Sequence, residues 1–174
     1  MLIRRLRYNE IDQIWTIDRS EVIHRVYRLR QGRLIAEPAY CEASGWPPGE
    51  VEKVTPSLHA CYRRGGGFSG MFEGGVLVGA AVIDGDCIGP DRDRIVLRFL
   101  YVSHSHRGRG VGSRLFEHAK VMARRRGARR LYVSSTPTES TVNFYLRLGC
   151  ELAREPDPAL LALEPEDIHL ICEL

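Results

Sequence analysis

A single mixed α/β domain around a twisted sheet is the fold class predicted for this chain of 174 residues. Three observations predict it. The apolar run Ile95-Val96-Leu97-Arg98-Phe99-Leu100-Tyr101-Val102 feeds through Arg107-Gly108-Arg109-Gly110-Val111-Gly112 into a stretch with apolar residues at helical spacing. The C-terminal half alternates strand, helix, strand, helix and strand, the order of an α/β sheet. The length suits one domain that buries about 70% of its unfolded surface without disulfides or metal.

Each element has its own signal. Residues Leu2 to Tyr8 read as a first strand, and Asn9 as the N-cap of a short helix carrying Ile11, Ile14, Trp15 and Ile17. Val22–Arg30 and Arg33–Tyr40 form two strands about Gln31-Gly32, with Pro38 placing the second at an edge. Gly45-Trp46-Pro47-Pro48-Gly49 is a rigid loop before a helix over Glu50–Arg63, interrupted or restarted at Pro56. Phe68–Phe72 and Val76–Asp84 make a hairpin across Glu73-Gly74-Gly75. Ile95–Val102 is almost continuously apolar and should be central, covered on both faces.

The following helix places Val111, Leu115, Ala119 and Met122 on one stripe and stops at Gly127. Arg130–Ser134 is a strand, Thr138–Leu148 a helix ended by Gly149, and Cys150–Arg154 a strand. Asp167–Leu174 is the last strand, after a loop through Pro156, Pro158 and Pro165.

A hydrophobic fraction of 44% and a net charge of +3 call for neither a membrane nor nucleic acid. Five dispersed cysteines contain no CxxC pair, so reduced thiols in a cytoplasmic protein are expected, with no metal. His104-x-His106 has no third ligand nearby. No stretch has signal-peptide or membrane-span character. Arg124, Arg125, Arg126, Arg129 and Arg130 read as a solvated helix end, with a polyanion contact as the alternative; a basic run without interleaved aromatics is a weak nucleic-acid signal.

The strand, glycine turn and helix present unpaired N–H groups and a positive dipole end at one spot, which makes an anion site. A Walker-type loop would need Lys and Ser or Thr after its second glycine, and none follows Gly112. A dinucleotide fingerprint would need different glycine spacing and an acid ending the next strand, which here ends Val133-Ser134-Ser135.

Arg107, Gly110 and Gly112 instead resemble the Arg/Gln-x-x-Gly-x-Gly/Ala acyl-CoA motif of the GNAT superfamily of N-acyltransferases. Thr141-Val142-Asn143-Phe144-Tyr145-Leu146-Arg147-Leu148-Gly149 resembles that family's second helix motif. The resemblance implies a GNAT-like domain over 1–174, with an acyl-CoA core at 67–174 and a variable acceptor region at 1–66 that carries a two-stranded insertion. It implies acetyl transfer from acetyl-CoA to an amine by direct attack in a ternary complex. The pyrophosphate would lie on Arg107, Gly108, Arg109, Gly110, Val111, Gly112 and Ser113, and the pantetheine arm along Leu100, Tyr101 and Val102. Asn143 would bond the cofactor, and Tyr145 would be the general acid at the sulfur.

Many relatives carry a Glu or Asp on the central strand where this chain has Arg98 and Phe99. Arg98 must therefore find an ion-pair partner or hold an acceptor carboxylate. Glu21, in Asp18-Arg19-Ser20-Glu21, is the best acidic base or acceptor contact, with Asp18 second. Trp46 is a candidate wall of the acceptor cleft. His169, between Ile168 and Leu170, reads as a satisfied edge histidine, with a proton relay as the alternative. Edge strands near both ends are compatible with a homodimer. Two other readings stay open: a catalytically inactive acyl-CoA sensor, and an RNA- or ribosome-associated protein using Arg124–Arg130.

Overall fold

The computed structural model describes residues 1–174. Along the chain come β1 (Leu2–Arg5), a 3-10 helix (Tyr8–Thr16), β2 (Glu21–Arg30), β3 (Arg33–Ala43), α1 (Glu50–Arg63), β4 (Gly67–Glu73) and β5 (Val76–Ile83). Then follow β6 (Arg94–Val102), a 3-10 turn (His104–His106), α2 (Val111–Arg124), β7 (Arg130–Ser135), α3 (Glu139–Arg147), β8 (Glu151–Leu152), α4 (Pro158–Leu163) and β9 (Ile168–Glu173). Seven strands form one sheet in the order β1-β4-β5-β6-β7-β9-β8, and β2 with β3 forms a separate ribbon. Every pairing is antiparallel except β6 with β7, the two strands joined through α2. A helical crossover between neighbouring parallel strands is the expected connection there.

Alternation along the strands divides the core between the two faces of the sheet. Leu115, Phe116, Ala119 and Ala123 of α2 pack with Leu97, Leu131 and Val133 on one face. Ile11, Ile14 and Ile17 and the α1 residues Leu58 and Cys61 pack with Phe68, Val82 and Phe99 on the other. Each fully buried Leu or Phe contributes roughly 1.5–3 kcal/mol of apolar transfer.

Several expectations are corrected. The first helix is a 3-10 segment capped from Arg7, whose N–H donates to Glu10 Oε2 at 2.8 Å, so Asn9 lies inside it. Arg4 also grips Glu10 through two bonds of 2.8 Å. Helix α1 runs unbroken through Pro56. The Thr55 and Ser57 hydroxyls donate to the carbonyls of Val51 and Val54, and burial of Leu58 and Cys61 holds the helix on the sheet. The proline-rich loop contains α4, capped by Asp157 with Pro158 in its first turn. The strand after Gly149 is confined to Glu151–Leu152.

The most consequential departure lies in β6. Val82 pairs with Phe99 and Ile83 with Leu97, which leaves Arg98 as the extra residue of a bulge. The bulge turns Phe99 to the face opposite Leu97 and brings Arg98 into solvent, so this strand is not covered on both faces throughout. Pairing of β6 with β7 also stops at Leu97 and Val133. Beyond that point the chain after β7 joins the ribbon instead: Tyr27 N–H donates to Pro137 O at 2.7 Å, and Val26 bridges Thr138. The two central strands therefore splay, and the ribbon holds the gap open.

Candidate active site

A cavity of about 760 Å³ occupies the splay. It extends from the N-terminus of α2, past α3, to the start of β2, and Leu97 to Val102 of β6 form its floor.

At one end the chain turns through Gly108 (φ +71°) and Gly110 (φ +77°), left-handed conformations that side chains with a Cβ adopt at a cost. Open space surrounds both glycines, so backbone conformation is what selects them. Gly112 is selected differently. A Cβ there would sit 3.1 Å from Cε2 of Phe144, so this glycine lets α2 approach α3. The N–H groups from Gly108 to Ser113 have no backbone acceptor, because the first bond of this end is Arg114 N–H to Gly110 O. Arg107 lies alongside, its Nε donating to Val102 O at 3.1 Å and its Nη1 to Ser20 O at 3.0 Å. Free N–H groups, a helix dipole and a guanidinium together suit a pyrophosphate.

Gly108, Gly110, Val111, Gly112, Ser113 and Arg107 all line the cavity, as do Leu100, Tyr101 and Val102. Arg109 does not: its Nη2 is 3.4 Å from Glu73 Oε1. His106 bonds the same carboxylate at 2.9 Å and, with Arg109 adding charge, holds Glu73 below the usual carboxylate range.

Helix α3 begins at Thr138, whose Oγ1 caps Thr141 N–H. Helical spacing then puts Thr141, Phe144 and Tyr145 on the cavity face. Tyr145 is 5% exposed and packs against Phe116 and Phe144, with ring centroids 5.7 and 5.1 Å away. Burial, and then the nearby Tyr101 and Cys150, push its phenol well above the ordinary tyrosine range. It stays protonated through the physiological range, so it carries a proton that it can donate. Asn143 points away from the cavity lining, its Oδ1 accepting from Tyr27 OH at 3.1 Å, so it fastens α3 to the ribbon.

The far end is assembled from scattered side chains. Glu21 lines the cavity and accepts from Ser140 Oγ. Asp18 accepts from Ser20, chiefly a hydrogen bond that keeps its carboxyl below the usual range, and it lies outside the lining. Arg98 reaches the cavity while Nη1 pairs with Asp84 Oδ1 at 3.1 Å. Trp46 stands one layer behind. It stacks on Phe99 at 5.5 Å and meets Tyr101 edge-on at 4.8 Å, with Nε1 donating to Ile17 O. His169 is buried away from the cavity, its Nδ1 bonded to Tyr132 OH at 2.8 Å. His104 and His106 have separate partners, Ser20 O and Glu73. None of the five cysteines lines the cavity.

Two groups of lining residues escaped the sequence reading. Arg19 lies near Trp46 and Tyr101, 5.0 and 5.1 Å from their ring centroids, with Glu50 3.4 Å from its Nη1. Ser134, Ser135, Thr136, Thr138 and Ser140 add a hydroxyl-rich wall. The run of hydroxyl residues between strand and helix was the available signal for that wall; nothing local marks Arg19.

Residues 25–150 match the model of the acetyltransferase (GNAT) family, and the chain belongs to that family. It is therefore an N-acetyltransferase. No curated protein matches the sequence. Solved structures share its fold almost end to end. A nourseothricin acetyltransferase is 22% identical, with a TM-score of 0.73 over 99% of this chain and 97% of the other. A putative streptothricin acetyltransferase from Bacillus anthracis, solved with acetyl coenzyme A, is 17% identical, with a TM-score of 0.74 over 99% and 98%. An N-acetyltransferase from Thermoplasma acidophilum, in complex with coenzyme A, is 14% identical, with a TM-score of 0.65 over 99% and 98%.

Proposed function

We propose that the protein transfers an acetyl group from acetyl-CoA to a primary amine by direct attack, with both substrates bound together. The observation that carries this reading is the continuity of the cavity from the N–H-rich turn, past Tyr145, to Glu21. The turn at Arg107–Ser113 holds the pyrophosphate and the open edge of β6 at Leu100–Val102 takes the pantetheine arm as an added strand, forming the donor wall. The thioester then lies at the splay. There Arg98 has no cross-strand partner on either side, and the bulge offers main-chain N–H groups to the carbonyl oxygen.

The acceptor wall receives the amine. Glu21 takes its proton, and Tyr145 gives a proton to the departing thiolate. Arg98, half neutralised by Asp84, orients an acceptor carboxylate or other acceptor oxygen. Trp46 sets the shape of this wall through Phe99 and Tyr101.

The test is release of free coenzyme A thiol from acetyl-CoA over a panel of streptothricin, polyamines, amino acids and peptide N-termini. Turnover with at least one amine, and a product acetylated on nitrogen, supports the reading. Tight acetyl-CoA binding with no turnover over the whole panel would favour the sensor instead, the reading to which Arg98 in place of a carboxylate lends weight.

A further inference from the structure

We propose that the end of the molecule remote from the cleft binds single-stranded nucleic acid. In the sequence the arginines after α2 are only a weak signal for such a role, because no aromatic residues interleave with them. The fold supplies both more cations and the aromatics.

Helix α2 rises from the cavity at Val111 and ends at Arg124, about 21 Å away at 1.5 Å per residue. Its last turn meets the end of α1, where Arg126 Nη2 donates to Gly65 O at 2.8 Å. Strand β1 brings Arg5 to the same place, its guanidinium 5.3 Å from the ring centroid of Tyr62. Burial, and then the charge of Arg5, lower the pKa of Arg126, which records how closely these cations are gathered. Arg5, Arg63, Arg64, Arg124, Arg125 and Arg126 thus converge from three elements. None forms a salt bridge, and Arg5, Arg63, Arg64, Arg124 and Arg125 are exposed. Removing those six from the 25 Lys and Arg leaves 19 against 22 Asp and Glu, so the rest of the protein is net acidic. The overall charge of +3 conceals this polarity.

The aromatics decide the kind of polyanion. Tyr8 is 44% exposed, and its hydroxyl accepts from Arg63 Nη1 at 2.8 Å. It sits edge-on to Tyr62 at 5.6 Å and to His59 at 4.7 Å. An exposed ring bonded to one guanidinium, with a second over the neighbouring Tyr62, gives a base a stacking surface beside its phosphates. An acidic peptide would use the charges and leave the ring idle.

Binding of fluorescein-labelled oligouridylate and oligothymidylate, each about 12 nucleotides long, to the full chain tests this by anisotropy. Both should bind, and affinity should fall roughly tenfold to a hundredfold between about 50 and about 200 mM KCl, as neutralising about three to four phosphates of a single strand, at about 0.7 counterion each, requires. A tighter ribose oligomer marks RNA as the ligand; equal affinity marks recognition without reading the sugar. Arg124→Gln with Arg125→Gln should flatten the salt dependence. Tyr8→Ala should weaken binding about tenfold with the salt slope kept, since stacking is insensitive to salt. Neither variant should alter acetyl-CoA binding or the melting temperature by more than a few degrees. Polyglutamate competing as well as oligouridylate at equal charge would overturn the proposal. So would an absence of binding at the lowest salt, or a Tyr8→Ala variant that binds normally.

Discussion

The donor wall of the cleft draws most of its groups from one stretch, residues 100–113, and presents them largely as main chain. The acceptor wall draws Arg19 with Glu21, Arg98 and Ser134 from three separate segments and presents them as side chains. A phosphate turn needs positive φ and bare N–H groups, which glycines at fixed offsets provide, so its sequence is constrained locally. A side-chain wall can be built from any residues that tertiary packing brings together. The two walls should accordingly fail in different ways.

The largest effect is expected at the junction. Tyr145→Phe keeps the ring packing against Phe116 and Phe144 while removing the proton donor. The turnover number should fall about 10²–10⁴-fold, roughly 3–5 kcal/mol of barrier, with acetyl-CoA affinity little changed. Activity near that of the natural chain would remove Tyr145 from the chemistry.

Trp46→Ala attacks the acceptor wall alone. Loss of the ring stacked on Phe99, and of its bond to Ile17 O, should cost about 2–4 kcal/mol in urea unfolding. Acetyl-CoA affinity measured on the folded variant should hold. A matching loss of donor affinity would show the two walls to be one unit.

Gly112→Val is the counterpart on the donor wall. Its side chain would press on Phe144, costing about 1–3 kcal/mol of stability and weakening acetyl-CoA in calorimetry. Gly108→Ala meets open space, so only its left-handed backbone is strained, by about 1–2 kcal/mol.

The smallest effect lies outside both walls. The Arg4 side-chain bonds, followed by the Arg7 N–H, lower Glu10 to about 2 from 4.5. A carboxyl depressed by folding stabilises the native state above its unfolded value, and that contribution fades as pH falls from about 4.5 towards about 2. Glu10→Gln should lower the melting temperature at neutral pH, where the ionised pair contributes in full, and flatten the profile between pH about 4.5 and about 2, so that the two chains converge at the acid end. An unchanged acid limb would mean that the Arg4 pair adds nothing.

This contrast between local and distributed construction also explains what the sequence could reveal. The strand, turn and helix at 95–124 announce themselves through apolar period and glycine offsets, and the α3 motif places Tyr145 on the cavity. The bulge at Arg98 is invisible locally, because it is defined by which β5 residues oppose Leu97 and Phe99. Asn143 has a sequence context that suits a cofactor contact, yet the ribbon brings Tyr27 to its amide. Trp46 is legible as a candidate wall of the cleft, and only the positions of Phe99 and Tyr101 show that it stands one layer behind the lining. Continuous helix at Pro56 reflects burial of Leu58 and Cys61 outweighing one lost hydrogen bond, a balance that local propensity does not contain.

Arg107 ties the two walls together through one side chain. One guanidinium holds the carbonyl of Val102 on the donor side and that of Ser20, the residue before Glu21, on the acceptor side. A ligand that draws this guanidinium towards its phosphates must relax or tighten the start of β2. By linkage, the acceptor then changes donor affinity by the same factor as the donor changes acceptor affinity. A donor dissociation constant that changes when acceptor is present would be the outward sign of that shared fastening, and Arg107→Lys, which cannot span both carbonyls with a planar fork, should make the two bindings independent.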